Sequence, residues 1–148
     1  MTDSKQSLRL WLRLLSCSTA IEKKARQMLV ERFDTTLPRF DVMAALDREP
    51  EGLTMSGLSE HLLVSNGNVT AIVARLVEDG LVTRTQDRAD RRVLRVKLTA
   101  RGRREFHLWA TAHEAWIEQL LADLADAEIA HLLAGLNRVK ISIERSGL

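Results

Sequence analysis

Nine Lys and Arg side chains fall between residues 84 and 104, against two Asp, so this stretch of 21 residues carries +7. The whole chain of 148 residues carries only +2, because residues 1–33 hold +4 while residues 34–83 and 105–148 hold −5 and −4. A guanidinium presents planar, forked donors that match phosphate oxygens, and a local cluster of them is an electrostatic footprint suited to a polyanion. Upstream lies a second set of recognition chemistry: Ser65, Asn66, Asn68 and Thr70, around Gly67. Asparagine pairs with adenine through two hydrogen bonds, and Ser or Thr donates to a base or a phosphate. Gly67 allows close backbone approach, and an exposed helix N-terminus favours a phosphate. Arg75 lies two to three turns on, away from the Ile72 and Leu76 stripe, within reach of a base edge or a flanking phosphate.

The residues for other chemistries are missing or scattered. There is no glycine-rich phosphate loop, no Cys-x-x-Cys and no nucleophile elbow, and the carboxylates are spread over helix exteriors and caps. An enzyme is therefore not expected. His61, His107, His113 and His131 never fall four residues apart on one helix face, so no metal or cofactor is expected. Cys17 is the one cysteine, which excludes a disulfide within the chain and suits a reducing cytosol. No apolar run nears the roughly 18–20 residues of a membrane span, and Arg9 and Arg13 interrupt the first apolar stretch, against a signal peptide. A cytoplasmic protein of one domain, residues 1–148, is expected.

The elements that must position these residues follow from periodicity. Apolar residues from Leu8 to Phe33 recur at helical spacing over about 25 residues. Asp34 to Pro38 break that helix, and Phe40 to Leu46 continue as a short one ending near Asp47. Thr54 caps a helix from Met55 to about Leu62, with Leu58, His61 and Leu62 on one side. Ser65 is the N-cap candidate for a second, Asn66 to Asp79, and Gly80 suits its left-handed end. The two form a helix-turn-helix. Leu81–Thr85 and Val93–Thr99 read as strands, the second with Leu94, Val96 and Leu98 on one face and Arg95 and Lys97 on the other. The charged stretch from Gln86 to Arg92 is the tip of their hairpin. Thr99 caps a long helix whose stripe runs from Phe106 to Leu124, and Asp126 is a cap candidate for a last one bearing Ile129 to Ile143.

The fold expected is mainly α with a small β-hairpin: a winged helix-turn-helix flanked by N- and C-terminal dimerisation helices. The DNA-binding lobe spans residues 37–99, and the dimerisation helices span 1–36 and 100–148. Their apolar stripes exceed what the winged core covers, so a homodimer facing a pseudo-palindromic duplex is implied. A rival reading is a winged-helix dimerisation module that binds no DNA; the arginine-rich tip argues against it.

Leu81 to Gly102, with its Asp87-Arg88-Ala89-Asp90-Arg91-Arg92 core and Leu98-Thr99, resembles the wing signature of the MarR family of bacterial regulators. Leu58 to Thr70 and Leu76 to Gly80 resemble the family's helix-turn-helix, so the likeness runs from about Leu37 to Gly102. Within the family, Val64 to Val69 looks like regulators of aromatic-acid catabolism, including those answering to hydroxycinnamoyl-CoA thioesters. The resemblance implies a homodimeric regulator of double-stranded DNA, usually a repressor, released by a small aromatic acid or its CoA thioester. It places Arg92 in the minor groove with Asp90 holding it, and Arg88 and Arg91 flank the tip toward phosphates. It also implies a ligand cleft where the first, second and fifth helices meet the DNA-binding lobe, here Trp11, Arg39, Phe40, Met43, Trp109 and His113. Some relatives carry a peroxide-sensing thiol in the first helix. Such sites resemble a cysteine assisted by tyrosine hydroxyls, and this chain has no tyrosine. Redox control through Cys17 is thus the alternative, and a buried small hydrophobe is the preferred reading of it.

Overall fold

A computed structural model describes residues 4–62 and 68–148. Its order is α1 (Ser4–Phe33), α2 (Leu37–Asp47), β1 (Leu53–Thr54), α3 (Met55–His61), α4 (Val69–Glu78), β2 (Val82–Gln86), β3 (Leu94–Leu98), α5 (Ala100–Leu120) and α6 (Asp126–Arg145). Two compact units result, residues 1–114 and residues 115–148.

In the first unit, α1 ends where Asp34 takes a left-handed conformation with φ 51°. Asp tolerates that region better than most residues, and the Thr35 N–H then reaches back to the Leu29 carbonyl. Thr36 caps α2 by accepting the Arg39 N–H at 3.2 Å, and Pro38 sits in the first turn, where no N–H is needed. Thr54 caps α3 through the Gly57 N–H at 3.0 Å. Leu58 alone of the predicted α3 side is fully buried; His61 is exposed, and its Nδ1 pairs with the Gly57 carbonyl of its own helix.

The hairpin proves to be part of a three-stranded antiparallel sheet in the order β1-β3-β2. The sequence reading lacked β1, because two residues are too few to show an alternating pattern. Leu53 pairs with Val96 and Thr54 with Arg95, while Val82 faces Leu98 and Gln86 faces Leu94. Val96 and Leu98 are buried, but Leu94 is exposed, because it lies where the hairpin has left the core. The apolar face of β3 is therefore one residue shorter than expected.

The core of this unit joins Leu29 of α1, Val42, Met43 and Leu46 of α2, Leu58, Val73 and Leu76 of the helix pair, and Phe106 and Trp109 of α5. The Phe40 ring packs at a tilt against Phe106 at 5.4 Å and against His113 at 4.8 Å. Burial pushes the His113 pKa down, since a charged ring there would lose its water. Toward its N-terminus α1 is bare: Leu8, Trp11, Leu12 and Leu15 are all exposed, and so is Cys17. The buried reading of Cys17 is thus corrected for the single chain, because the described residues leave it exposed.

In the second unit, α6 begins at Asp126, and Ala125 is its N-cap position. Asp126 is therefore the first helical residue instead of the cap, and Glu128 Oε1 accepts the Ala125 N–H at 3.1 Å. No residue of α6 is buried; Leu132, Leu133, Leu136, Ile141 and Ile143 are exposed. Among the described residues, no helix is long and apolar enough to cross a membrane.

One glycine is set by packing alone. A Cβ on Gly102 would lie 2.0 Å from the Leu81 carbonyl oxygen, so α5 approaches the backbone leading into β2 as closely as a chain can. Gly102→Ala is expected to cost at least about 2 kcal/mol, as forced overpacking does, read as a lower urea midpoint with an unchanged slope. A stability equal to that of the parent chain would contradict this packing.

Candidate nucleic-acid interface

The second helix of the pair buries Val73 and Leu76 and leaves Thr70, Ala71, Arg75 and Glu78 exposed. Its start lies later than the sequence suggested. Asn68, not Ser65, is the cap, and its Oδ1 accepts the Ala71 N–H at 3.3 Å. Ser65 and Asn66, together with Gly67, lie outside the described residues. The capping bond takes one of the two lone pairs on Asn68 Oδ1 and fixes the direction of the amide, whose Nδ2 is a donor suited to a base or phosphate acceptor. Thr70 and Arg75 stand on the open face, with Arg75 more than one turn beyond Thr70.

The hairpin tip is more ordered by polar bonds than its composition suggests. Asp87 Oδ2 accepts the N–H groups of Ala89 and Asp90, each at 3.2 Å, which closes the turn. Asp90 then grips Arg92: Oδ1 accepts both the backbone N–H at 3.0 Å and Nε at 3.2 Å, and Oδ2 accepts Nη2 at 3.3 Å. The Arg92 side chain is nevertheless 90% exposed. It is a guanidinium held in one direction while remaining open to a ligand. The Arg92 side chain, and then its backbone N–H, hold the Asp90 carboxyl below its ordinary range. The fork is therefore intact across neutral pH and opens only as pH falls through that lowered value. Arg88 and Arg91 are exposed beside it.

Three residues outside the predicted set, Asp87, Arg95 and Gly52, build this tip. Arg95 is not on a solvated face: its Nε donates to Asp87 Oδ1 at 3.1 Å and its Nη1 to the Gly52 carbonyl at 3.0 Å. That bond to Arg95 lowers the Asp87 pKa. Gly52 has φ 85°, and a Cβ there would lie 2.5 Å from the Val96 carbonyl oxygen. The wing is thereby tied to the turn before β1. The available signal was Asp87 at the head of the charged turn, since an Asx turn takes the N–H two residues on; Arg95 and Gly52 carried none.

The residues named for a ligand separate. Phe40, Met43 and Trp109 are buried, His113 is half-buried against Phe40, and Trp11 is exposed. Arg39 is drawn into an ion pair with Asp79. Arg39 and Trp109 line a common space, a cavity of about 220 Å³ with Phe33, Thr35, Leu81 and Arg101 in its walls. Thr35 Oγ1 and Arg39 Nε are buried there without a hydrogen-bond partner among the described residues. Those residues include no group of three or more side chains able to hold a metal ion.

A helix with one open polar face, followed by a sheet that holds a guanidinium out at its tip, is how a winged helix-turn-helix DNA-binding protein presents itself to a duplex. A family profile described as the MarR family matches residues 33–93. A MarR family transcriptional regulator from Silicibacter pomeroyi is 32% identical, covering 97% of this chain and 99% of that one, with a TM-score of 0.84. The chain belongs to the MarR family and is a DNA-binding transcriptional regulator, not an enzyme. It is also similar to the transcriptional activatory protein BadR of Rhodopseudomonas palustris, 29% identical over 97% of this chain and 84% of that protein. Streptococcus pneumoniae FabT, solved in complex with DNA, is 26% identical over 93% of this chain and 97% of that one, with a TM-score of 0.73.

Because Asp90 bonds to Arg92 while the Arg92 side chain stays exposed, the two wing residues separate experimentally. Arg92→Ala is expected to abolish binding to a cognate duplex in a gel shift while the chain stays folded by circular dichroism. Asp90→Asn, which keeps Arg92 but loosens its fork, is expected to weaken binding about tenfold, the scale of one lost directional contact. Equal affinities for the parent chain and Arg92→Ala would remove the wing from the interface.

Proposed function

We propose that this regulator binds a pseudo-palindromic operator as a homodimer, with α4 in the major groove and the wing arginine in the minor groove. The observation that carries this reading is the Asp90–Arg92 fork, a cation both exposed and pre-aimed. Thr70, Arg75 and Asn68 read bases or phosphates from the open face of α4, joined by Ser65 and Asn66. Arg88 and Arg91 neutralise phosphates. Narrow A/T-rich minor grooves concentrate the negative potential that suits Arg92. The bare apolar residues of α1 and of α6 support a second copy as their cover.

The regulator acts as a repressor that a small aromatic acid releases. A cavity near 220 Å³ is below the usual 300–1,000 Å³ of ligand pockets, which favours a single-ring acid over a CoA thioester lodged whole. Arg39 and Arg101 would receive the carboxylate, with Trp109 and Phe33 beside the ring. Asp34, Asp79 and Glu105 line the same space, so a carboxylate is admitted only by taking an arginine from an acidic partner. The relative from Rhodopseudomonas palustris is named an activator, so the sign of regulation is part of the test.

Two measurements check this reading. In light scattering the chain is expected to run as a dimer, and Leu136→Asp on the α6 stripe is expected to weaken it; a monomeric parent chain would contradict the cover assigned to these helices. Benzoate-type and hydroxycinnamate-type acids and their CoA esters are titrated against the bound duplex, with a reporter giving the sign. Release by a single-ring acid is the expected outcome, and release by none removes this ligand class.

A further inference from the structure

The second helix of the pair ends on Glu78 and Asp79, where the helix dipole already places partial negative charge. Arg75 supplies one cation to that last turn, but two carboxylates follow it at the very end. A second cation comes from elsewhere in the fold. Arg39 of α2, forty residues away in sequence, donates from Nη2 to Asp79 Oδ2. Two more groups take hold of the same turn: Arg101 Nη1 donates to the Asp79 carbonyl at 3.3 Å, and Thr99 Oγ1 donates to the Gly80 carbonyl at 2.8 Å. The end of α4 is thus held by both α2 and the start of α5.

The two partners of the ion pair are not equivalent. The Arg39 side chain is 17% exposed and Asp79 is 42% exposed, and Arg39 Nε is buried without a partner among the described residues. Without Asp79, a mostly buried guanidinium is left without its carboxylate; without Arg39, the Asp79 carboxylate is hydrated but the helix end loses its anchor. Ten helical residues separate this anchor from the Asn68 cap, about 15 Å of axis. A swing of about 4° at the anchored end displaces the far end by about 1 Å, and a hydrogen bond to a base edge does not survive that error.

We propose that Arg39 and Asp79 are positioning residues for operator recognition: their ion pair fixes the axis of α4, so sequence discrimination depends on them although neither touches the duplex. The proposal rests on the base-reading role assigned to α4. It predicts loss of specificity without loss of general attraction, because the arginines of the wing, which supply most of the phosphate attraction, are untouched.

The test uses the full-length chain. The parent protein first selects its duplex from a random pool. Affinities of Asp79→Asn, Arg39→Ala and Arg39→Lys are then measured for the selected duplex and for a random duplex of equal length at one salt concentration, with melting temperatures alongside. Asp79→Asn and Arg39→Ala are expected to lose about tenfold on the selected duplex and to stay within about twofold on the random one, the scale of one lost base contact. Arg39→Lys, which keeps the charge, is expected to recover most of the loss. The proposal is overturned if both affinities fall together with the melting temperature, since the pair is then only structural, or if neither changes. If the parent chain enriches no sequence at all, the base-reading role of α4 fails and the proposal goes with it. Enrichment by the parent with unaltered discrimination in the variants sinks the proposal alone.

Discussion

Everything this protein presents to a duplex hangs on the backbone at Gly80 and Leu81, where α4 ends and the chain turns into β2. Gly80 adopts φ 75°, which lets the Leu81 N–H return to the Leu76 carbonyl and closes the helix. The Leu81 carbonyl then accepts the Thr99 N–H at 3.0 Å, while Thr99 Oγ1 takes the Gly80 carbonyl. Gly102 packs against the same carbonyl with no room for a side chain. The helix α4, both wing strands and the start of α5 therefore share one rigid junction, and the spacing between α4 and the wing is inherited from it. Because the junction is made of backbone hydrogen bonds and a close approach of main chain, it tolerates little adjustment.

The wing solves a different problem. A long arginine free in water loses rotamer entropy when it enters a groove. For the minor-groove role proposed for Arg92, Asp90 would remove part of that cost beforehand by holding the guanidinium in one direction without burying it. Asp87 and Arg95 extend the same economy inward, linking the tip to the Gly52 turn and so to β1. The two acidic residues inside the basic segment lower its net charge, and they are what give that charge a direction.

Apolar surface is distributed unevenly. In the unit of residues 1–114 the core is closed around Met43, Leu58 and Val96, yet the first half of α1 contributes nothing to it. In residues 115–148, α6 displays its leucine stripe with no covering residues of its own. Helical amphipathicity describes what a helix needs to bury and is silent on which body supplies the cover.

Periodicity and punctuation in the sequence were sufficient for the six helices, the hairpin, the Thr54 and Thr99 caps and the left-handed Gly80, because each depends on residues within a few positions of one another. They also located the arginine-tipped wing, while the Asp90–Arg92 couple came from the resemblance to the MarR wing signature. Other features were not legible. The cap at Asn68 is a local bond, missed because Ser65 and Asn66 offered equally good capping residues. The two-residue β1, the exposure of Leu94 and Cys17, and the separation of Trp11 from Arg39 all depend on which distant segments pack together. The same holds for Arg95 on Gly52 and for Arg39 on Asp79, pairs 43 and 40 residues apart. Local sequence sets which face and which turn each residue occupies. Long-range packing alone decides which charges meet, because that choice is made by the geometry of closing one core around several elements at once.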